Sequence, residues 1–201
     1  ADVRVLGEEV PLTFRVGRQE LSYGDQRVIG VSNWSNTRRK FDGFKLMWEC
    51  PDWRADGLYV FPVPDADRNP ARRLDHYDSR QVLAGTYVTY KGLPGHELDV
   101  YYLYHRNSNE PTNANNTAGS LHLSTLGARL AGKQGPWDYD AELIGQFGRF
   151  AGDAVQAWAT GVDAGYTLAA EMKPRLGAGF DFGSGDKDPF DGKHGTFNTL
   201  F

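Results

Sequence analysis

Residues 120–150 read SLHLSTLGARLAGKQGPWDYDAELIGQFGRF, two alternating runs joined at Gly135-Pro136. In the first run Leu126, Ala128 and Leu130 share one face, and Gly127, Arg129 and Lys133 share the other. In the second, Tyr139, Ala141, Leu143 and Phe147 oppose Asp138, Asp140, Glu142 and Gln146. A period of two is the period of a β-strand, whose successive side chains point to opposite sides. The pattern predicts strands over 120–133 and 137–150. Both exceed the five or six residues usual in soluble sheets and reach the roughly 9–11 that a tilted bilayer crossing needs.

Working outward, the same signature recurs at about 12–23, 41–50, 53–63, 82–91, 96–106, 155–168 and 174–184, with a stub from Ala1 to Leu6. Long and short connections alternate between these runs. The polar stretches Gly24 to Lys40, Pro64 to Arg80 and Asn107 to Gly119 are long; Pro51-Asp52, Leu93-Pro94-Gly95, Gly135-Pro136 and Glu171-Met172-Lys173 are tight. A short link at Gly152-Asp153 breaks the rhythm, and a polar segment follows from Gly185. An antiparallel up-and-down β-barrel of the transmembrane kind sorts its connections by end in this way, whereas a soluble sandwich has no reason to. The apolar face then looks at lipid and the charged face at the lumen; in a small soluble barrel the two are exchanged. Trp48, Trp53, Trp137, Tyr139, Phe150 and Tyr166 fall near strand ends, where interfacial girdles lie. Two runs are ambiguous. In 12–23 Arg15, Arg18 and Glu20 fall on both faces, and in 53–63 Leu58 and Val60 oppose Tyr59 and Phe61.

Composition narrows the classes. The chain has 201 residues, 13% of them aromatic, with 24 Gly and a net charge of -4. Aromatic and Gly enrichment suits sheets with close backbone approaches. The mean hydropathy is -0.55, and no window approaches the roughly 18 apolar residues of a membrane helix. A barrel strand hides its apolar residues at every second position and escapes that measure. An acidic pI of about 5.7 argues against nucleic acid, which requires a basic face. Cys50 stands alone, so neither an intrachain disulfide nor a thiolate zinc site is available. The chain opens without Met or a signal peptide, which reads as a removed export signal or a missing N-terminus.

Two ordered sets of segments stand near the ends of the chain. The first is Arg15-Val16-Gly17-Arg18-Gln19-Glu20-Leu21, followed by Tyr23-Gly24-Asp25, Arg27, Ser35-Asn36, the Arg38–Lys40 cluster and Phe41-Asp42-Gly43. The second is Gly185-Asp186, then Asp191-Gly192, Gly195-Thr196-Phe197-Asn198 and Leu200-Phe201. Together they resemble the alginate export family of outer-membrane barrels, and the resemblance implies a single-chain outer-membrane porin of about eighteen strands. The nine to ten visible here, over 1–201 as one partial domain, are then expected to belong to a larger barrel, because open edges are not tolerated in hydrocarbon. It further implies a basic conduit drawing an anionic uronic-acid polymer outward, with periplasmic export proteins as partners and no cofactor.

Parity places the basic residues Lys45, Arg129, Lys133 and Arg175 on the lumen side, and the family-like motif adds Arg18 near the pore wall. Glu49, Asp99, Asp138, Asp140, Glu142, Asp163 and Asp181 share the lumen parity, so this part of the wall is mixed, even acidic. The basic residues are expected to pair with these acids, with capture of a polyanion as the alternative. For Arg18 a structural ladder or salt bridge is expected. Asp186, Asp188 and Asp191 form an acidic Gly-rich loop without EF-hand spacing, read as a solvated turn with Ca²⁺ as the alternative; the Asp65-Asp67 and Asp75-Asp78 pairs are read in the same way. His122 and Ser124 share one strand face, but no Gly-x-Ser-x-Gly elbow or His-x-x-x-His pair occurs, and catalysis is not expected. The leading expectation is a passive pore in outer-membrane lipid for an anionic polysaccharide or smaller anions. The alternatives are a general small-solute porin, a soluble β-sandwich carbohydrate-binding module, and a barrel enzyme using Ser124 and His122.

Overall fold

The computed structural model describes residues 1–4, 11–32, 38–64 and 76–201. Its strands are β1 (Asp2–Arg4), β2 (Leu12–Gln19), β3 (Lys40–Glu49), β4 (Trp53–Val63), β5 (Gln81–Tyr90), β6 (His96–Asn107), β7 (Leu121–Gln134), β8 (Trp137–Phe150), β9 (Asp153–Thr167) and β10 (Arg175–Gly183). Each pairs antiparallel with its neighbour in sequence, giving one up-and-down sheet. A two-residue β11 (Lys193–His194) adds in parallel to β9 beside Ala154 and Val155, just past the point where β10 ends opposite Ala159. Among the described residues β1 and β10 each have a partner on one side only, so the sheet is open. Asp65, Asp67 and Asp75, and the Ser35-Asn36 pair, lie outside the described residues.

Local chemistry explains the hairpins. Between β7 and β8, Gly135 at φ +61° leads into Pro136, the Gly-first arrangement that a II′ turn demands. Between β8 and β9, Ala151 and Gly152 both have positive φ, a I′ turn whose twist matches the flanking strands. That turn explains the broken rhythm of the loops, because a two-residue link stands at the end where the other connections are long.

The two faces separate cleanly. On the outer face Val100 is 47% exposed, and Leu143 and Phe180 are each 61% exposed. On the inner face Asp99, Tyr101 and Glu142 are buried. The ambiguous run 53–63 resolves with Leu58 and Val60 inward and Tyr59 outward. Outer aromatics gather toward two levels. Trp53 on Tyr90 (4.5 Å) and Trp137 on Tyr166 (4.8 Å) stand at the tight-turn end, while Trp158 on Phe182 (4.7 Å) and Phe61 on Tyr77 (5.1 Å) stand toward the long loops. Phe150 departs from the girdle expectation. It lies on the inner face against Leu121, Leu123, Val155 and Ala157, because it is in register with Leu121.

The first predicted strand, 12–23, stops at Gln19. From there the chain turns inward, and Leu21, Tyr23, Val28 and Ile29 pack on Phe41, Leu58, Val60, Leu83, Leu103 and Ile144. The C-terminal segment joins them. Gly30 N donates to Phe201 O (3.1 Å) and Phe201 N to Val28 O (3.1 Å), while Gln146 exchanges two hydrogen bonds with the Asn198 backbone. Tyr23 reaches Asp56 on β4 and Arg27 reaches Asp181 on β10. A single buried cluster joins this segment to Phe41 on β3, Leu58 and Val60 on β4, Leu83 on β5, Leu103 on β6, Ile144 on β8 and Ala159 on β9, which a flat sheet with strands ~4.8 Å apart could not bring together. The sheet therefore curls round the segment. Its inner face is apolar on the long-loop half, which a uniformly polar lumen would not be.

Candidate functional site: the charged inner wall

One cross-strand row organises the inner face. Glu49, Arg54, Thr89, Asp99, Arg129, Glu142, Gly161 and Asp181 stand opposite one another in turn from β3 to β10. The next row toward the long loops holds Asp56, Tyr87, Tyr101, Gly127, Ile144 and Ala159; the next toward the tight turns holds Glu97, Ala131, Asp140 and Asp163. Charge thus occupies the tight-turn half of the wall, below the apolar half that the inserted segment covers.

Two guanidiniums bind this wall together. Arg129 meets Asp99 at 2.7 Å, Glu97 at 3.3 Å and Asp140 at 2.5 Å. Arg27 comes from the inserted segment, not from the wall, and meets Asp163 at 2.6 Å, Asp140 at 2.8 Å, Asp181 at 3.1 Å, Asp25 at 3.2 Å and Glu142 at 3.4 Å. Gly161 makes room for it, since a Cβ there would collide with the Arg27 side chain. Burial opposes the Arg27 charge, but the hydrogen bonds accepted by Asp140 and Asp181 outweigh that cost and raise its pKa above the ordinary arginine value. It remains a cation.

Three stacked tyrosines run alongside, Tyr23 on Tyr87 at 4.4 Å and Tyr87 on Tyr101 at 5.1 Å. Their hydroxyls donate to Asp56 (3.0 Å), Asp99 (2.8 Å) and Glu142 (2.7 Å) respectively. Gly127 is bare where the Tyr101 ring passes over it. Burial of Tyr23, aided by the Asp56 charge, pushes its pKa up, so it stays a neutral donor. Lys45 and Arg54 close the other side of Asp56 at 2.9 and 3.0 Å, with the Lys45 ammonium 5.2 Å from the centre of the Tyr23 ring.

Of the residues singled out from sequence, Lys45, Arg129, Asp99, Glu142, Asp163 and Asp181 come together here. Glu49 bonds Lys91 at 2.6 Å, near the rim. Arg175 pairs with Asp138 at the tight-turn end of β10. Lys133, in register with Asp138, is exposed and has no ion pair within 4 Å among the described residues. Arg18 is a correction to a pore-lining assignment. It lies on the outer face with Val16 and Phe44, held by two 2.9 Å hydrogen bonds to Asp42, because Gln19 and not Arg18 takes the inward parity. Sequence reasoning passed over Arg27, Tyr23, Asp56, Arg54, Tyr87 and Tyr101. Arg27 stood within a family-like motif, but nothing in the spacing shows that a loop folds inward.

The acidic loop makes turns. Asp188 accepts from Phe190 N at 3.0 Å and Asp191 from Lys193 N at 2.8 Å, while Asp186 stands 3.8 Å from His194. No group of three His, Cys, Asp or Glu among the described residues is arranged to hold a metal. Ser124 and His122 do not form a dyad: Ser124 bonds the Tyr102 hydroxyl at 3.1 Å and His122 the Tyr104 hydroxyl at 2.8 Å.

Compared with known proteins, the chain matches the profile of a family described as Alginate export over residues 3–201. No curated protein matches it.

Proposed function

The chain belongs to the alginate export family, and from that premise we propose that it forms part of the wall of an outer-membrane pore through which solute passes passively. The observation that carries the reading is the sorting of side chains. Val100, Leu143 and Phe180 stand exposed on the outer face between two aromatic levels, while charge is gathered on the inner one. Trp158 and Tyr166 lie eight residues apart on β9, about 26 Å along the strand at ~3.3 Å per residue and about 20 Å in height at a tilt near 40°. That approaches the ~25 Å apolar band of outer-membrane barrels. A soluble sandwich would instead bury these residues.

The family suggests a uronic-acid polymer as cargo, moving past fixed charges without a cofactor. A charged, water-filled passage with low-dielectric walls concentrates ions of the opposite sign. The wall gives specific support to a second reading, passage of small solutes without a polymer. Arg27 and Arg129 are already engaged by seven carboxylates, among which Asp181, Asp163, Asp25 and Glu97 remain substantially exposed. Recording from the full-length protein in planar bilayers separates the two. Blockade by micromolar polyuronate supports the polymer, and an open current indifferent to it supports small solutes. Failure to insert would refute the pore.

A further inference from the structure

On the outer face, three basic side chains stand in one row. Arg106 on β6 faces His122 on β7, and His122 faces Arg149 on β8. Val82 and Ala154 flank the row and carry no charge. Arg15, Arg18, Arg27, Arg54, Arg129 and Arg175 are each held in an ion pair. Arg106 and Arg149 have none within 4 Å among the described residues, and the shielded Nε of Arg106 lacks any hydrogen-bond partner. His122 engages the Tyr104 hydroxyl through Nδ1 alone, at 2.8 Å.

Directly toward the tight turns on the same strands lies an apolar groove of about 640 Å³. Leu126, Leu143, Phe147 and Trp158 wall it, and Ala128 and Gly145 lie along its floor. Depth fixes what the groove and the row can meet. A strand tilted near 40° climbs about 2.5 Å per residue, so ~25 Å of apolar band is crossed in about ten residues. Counted along β8 from Trp137 in the tight-turn rim, the band ends near Phe147, and Arg149 enters the headgroup layer. Adjacent row members stand ~4.8 Å apart, so the cations spread over about 10 Å. That is wider than one phosphate.

We propose that this surface binds an anionic lipid of the long-loop leaflet whose headgroup carries more than one phosphate, with an acyl chain lying in the groove. The Arg106 and Arg149 guanidiniums are suited to phosphate oxygens, and the groove gives the chain a fixed path beneath them. The proposal rests on the membrane-spanning reading above.

The test uses full-length protein in detergent, incubated with diphosphorylated lipid A, its dephosphorylated form or phosphatidylglycerol, with bound lipid read by native mass spectrometry. The wild type retains the diphosphorylated lipid roughly tenfold or more over the other two. R106Q/R149Q loses that preference, R149Q alone weakens it, and K173Q at the opposite end leaves it intact. Heat-modified electrophoretic mobility confirms that each variant is folded; R149Q, on an exposed position, serves if the double variant is not. Equal retention by R149Q and wild type, equal retention of phosphatidylglycerol, or full displacement by millimolar inorganic phosphate overturns the proposal. Protein that does not insert into vesicles sinks the membrane reading itself, whereas inserted protein without lipid preference sinks only this inference.

Discussion

The guanidinium of Arg27 and the carboxylate of Asp163 meet at 2.6 Å although 136 residues separate them in the chain. The contact ties a segment between β2 and β3 to the far side of the curled sheet. Asp163 stands directly opposite Asp140 across the β8–β9 pair, and two carboxylates at that spacing repel unless a cation lies between them. Arg27 is that cation, and the inserted segment is thereby fastened where the wall most needs positive charge.

Removing it has two consequences. Arg27→Gln leaves Asp140, Glu142, Asp163 and Asp181 without their shared partner and loosens the inserted segment, which would narrow the proposed passage. Single-channel recordings should show a larger conductance, and the reversal potential in a salt gradient should move toward cation selectivity. An unchanged conductance and reversal potential would mean that the segment does not limit flow.

Leu143 distinguishes a membrane wall from a water-soluble one. It is 61% exposed in the middle of β8. In water, Leu143→Arg at so open a position costs next to nothing. In a bilayer, arginine on the lipid face near the midplane costs about 2–4 kcal/mol. Urea unfolding from lipid vesicles should show a loss of that size, and a loss near zero would argue against lipid contact.

The hairpins were legible because each carries its own punctuation. The Gly135-Pro136 turn and the alternation of Asp138, Asp140 and Glu142 with Tyr139, Ala141 and Leu143 fix both strand limits and faces. The run 53–63 was not legible, because Leu58 and Tyr59 are both apolar and only the covering segment decides that Leu58 is buried. The same cause hid most of the site. Arg129 could be assigned from parity, but Arg27 and Tyr23 act through a loop whose inward path depends on apolar contacts with distant strands. Arg18 misled for a related reason. Residues 15–20 are charged on both faces, and the inward parity is set by Gln19 packing below that loop.

Asp78 makes the long loops sensitive to acid. It lies just before β5, where its carboxylate accepts from the Asn109 side chain at 2.5 Å, from Gln81 at 3.0 Å and from Arg80 N at 3.0 Å. Partial burial raises its pKa, but those hydrogen bonds outweigh it and hold the carboxyl below the usual carboxylate range. A depressed folded-state pKa contributes stability that is complete above the unfolded value and lost as pH falls through the folded one. The loop contact should therefore hold at neutral pH and release only as pH falls below the ordinary carboxylate range. Asp78→Asn should remove that dependence. Proteolysis or hydrogen exchange of residues 76–80 and 107–112 across pH 3–7 would show it, and the same acid profile in wild type and variant would assign the effect elsewhere.

Lys45 and Asp56 supply the severest test of the buried part of the network. Their side chains are 8% and 1% exposed and meet at 2.9 Å, with Arg54 and the Tyr23 hydroxyl on the same carboxylate. Asp56→Asn strands a buried ammonium beside the face of the Tyr23 ring, and loss of one partner of a buried pair costs roughly 3–5 kcal/mol. Lys45→Met leaves Asp56 with Arg54 and Tyr23 still in place, so the carboxylate keeps compensation and the loss should be smaller. The double variant K45M/D56N removes the buried ammonium together with the carboxylate and leaves only the half-exposed Arg54 without its partner, so it should recover part of what D56N loses. Urea unfolding of the refolded protein measures all three. If K45M/D56N is as damaged as the sum of the single variants, the two residues act independently and the ion pair does not hold the inserted segment in place.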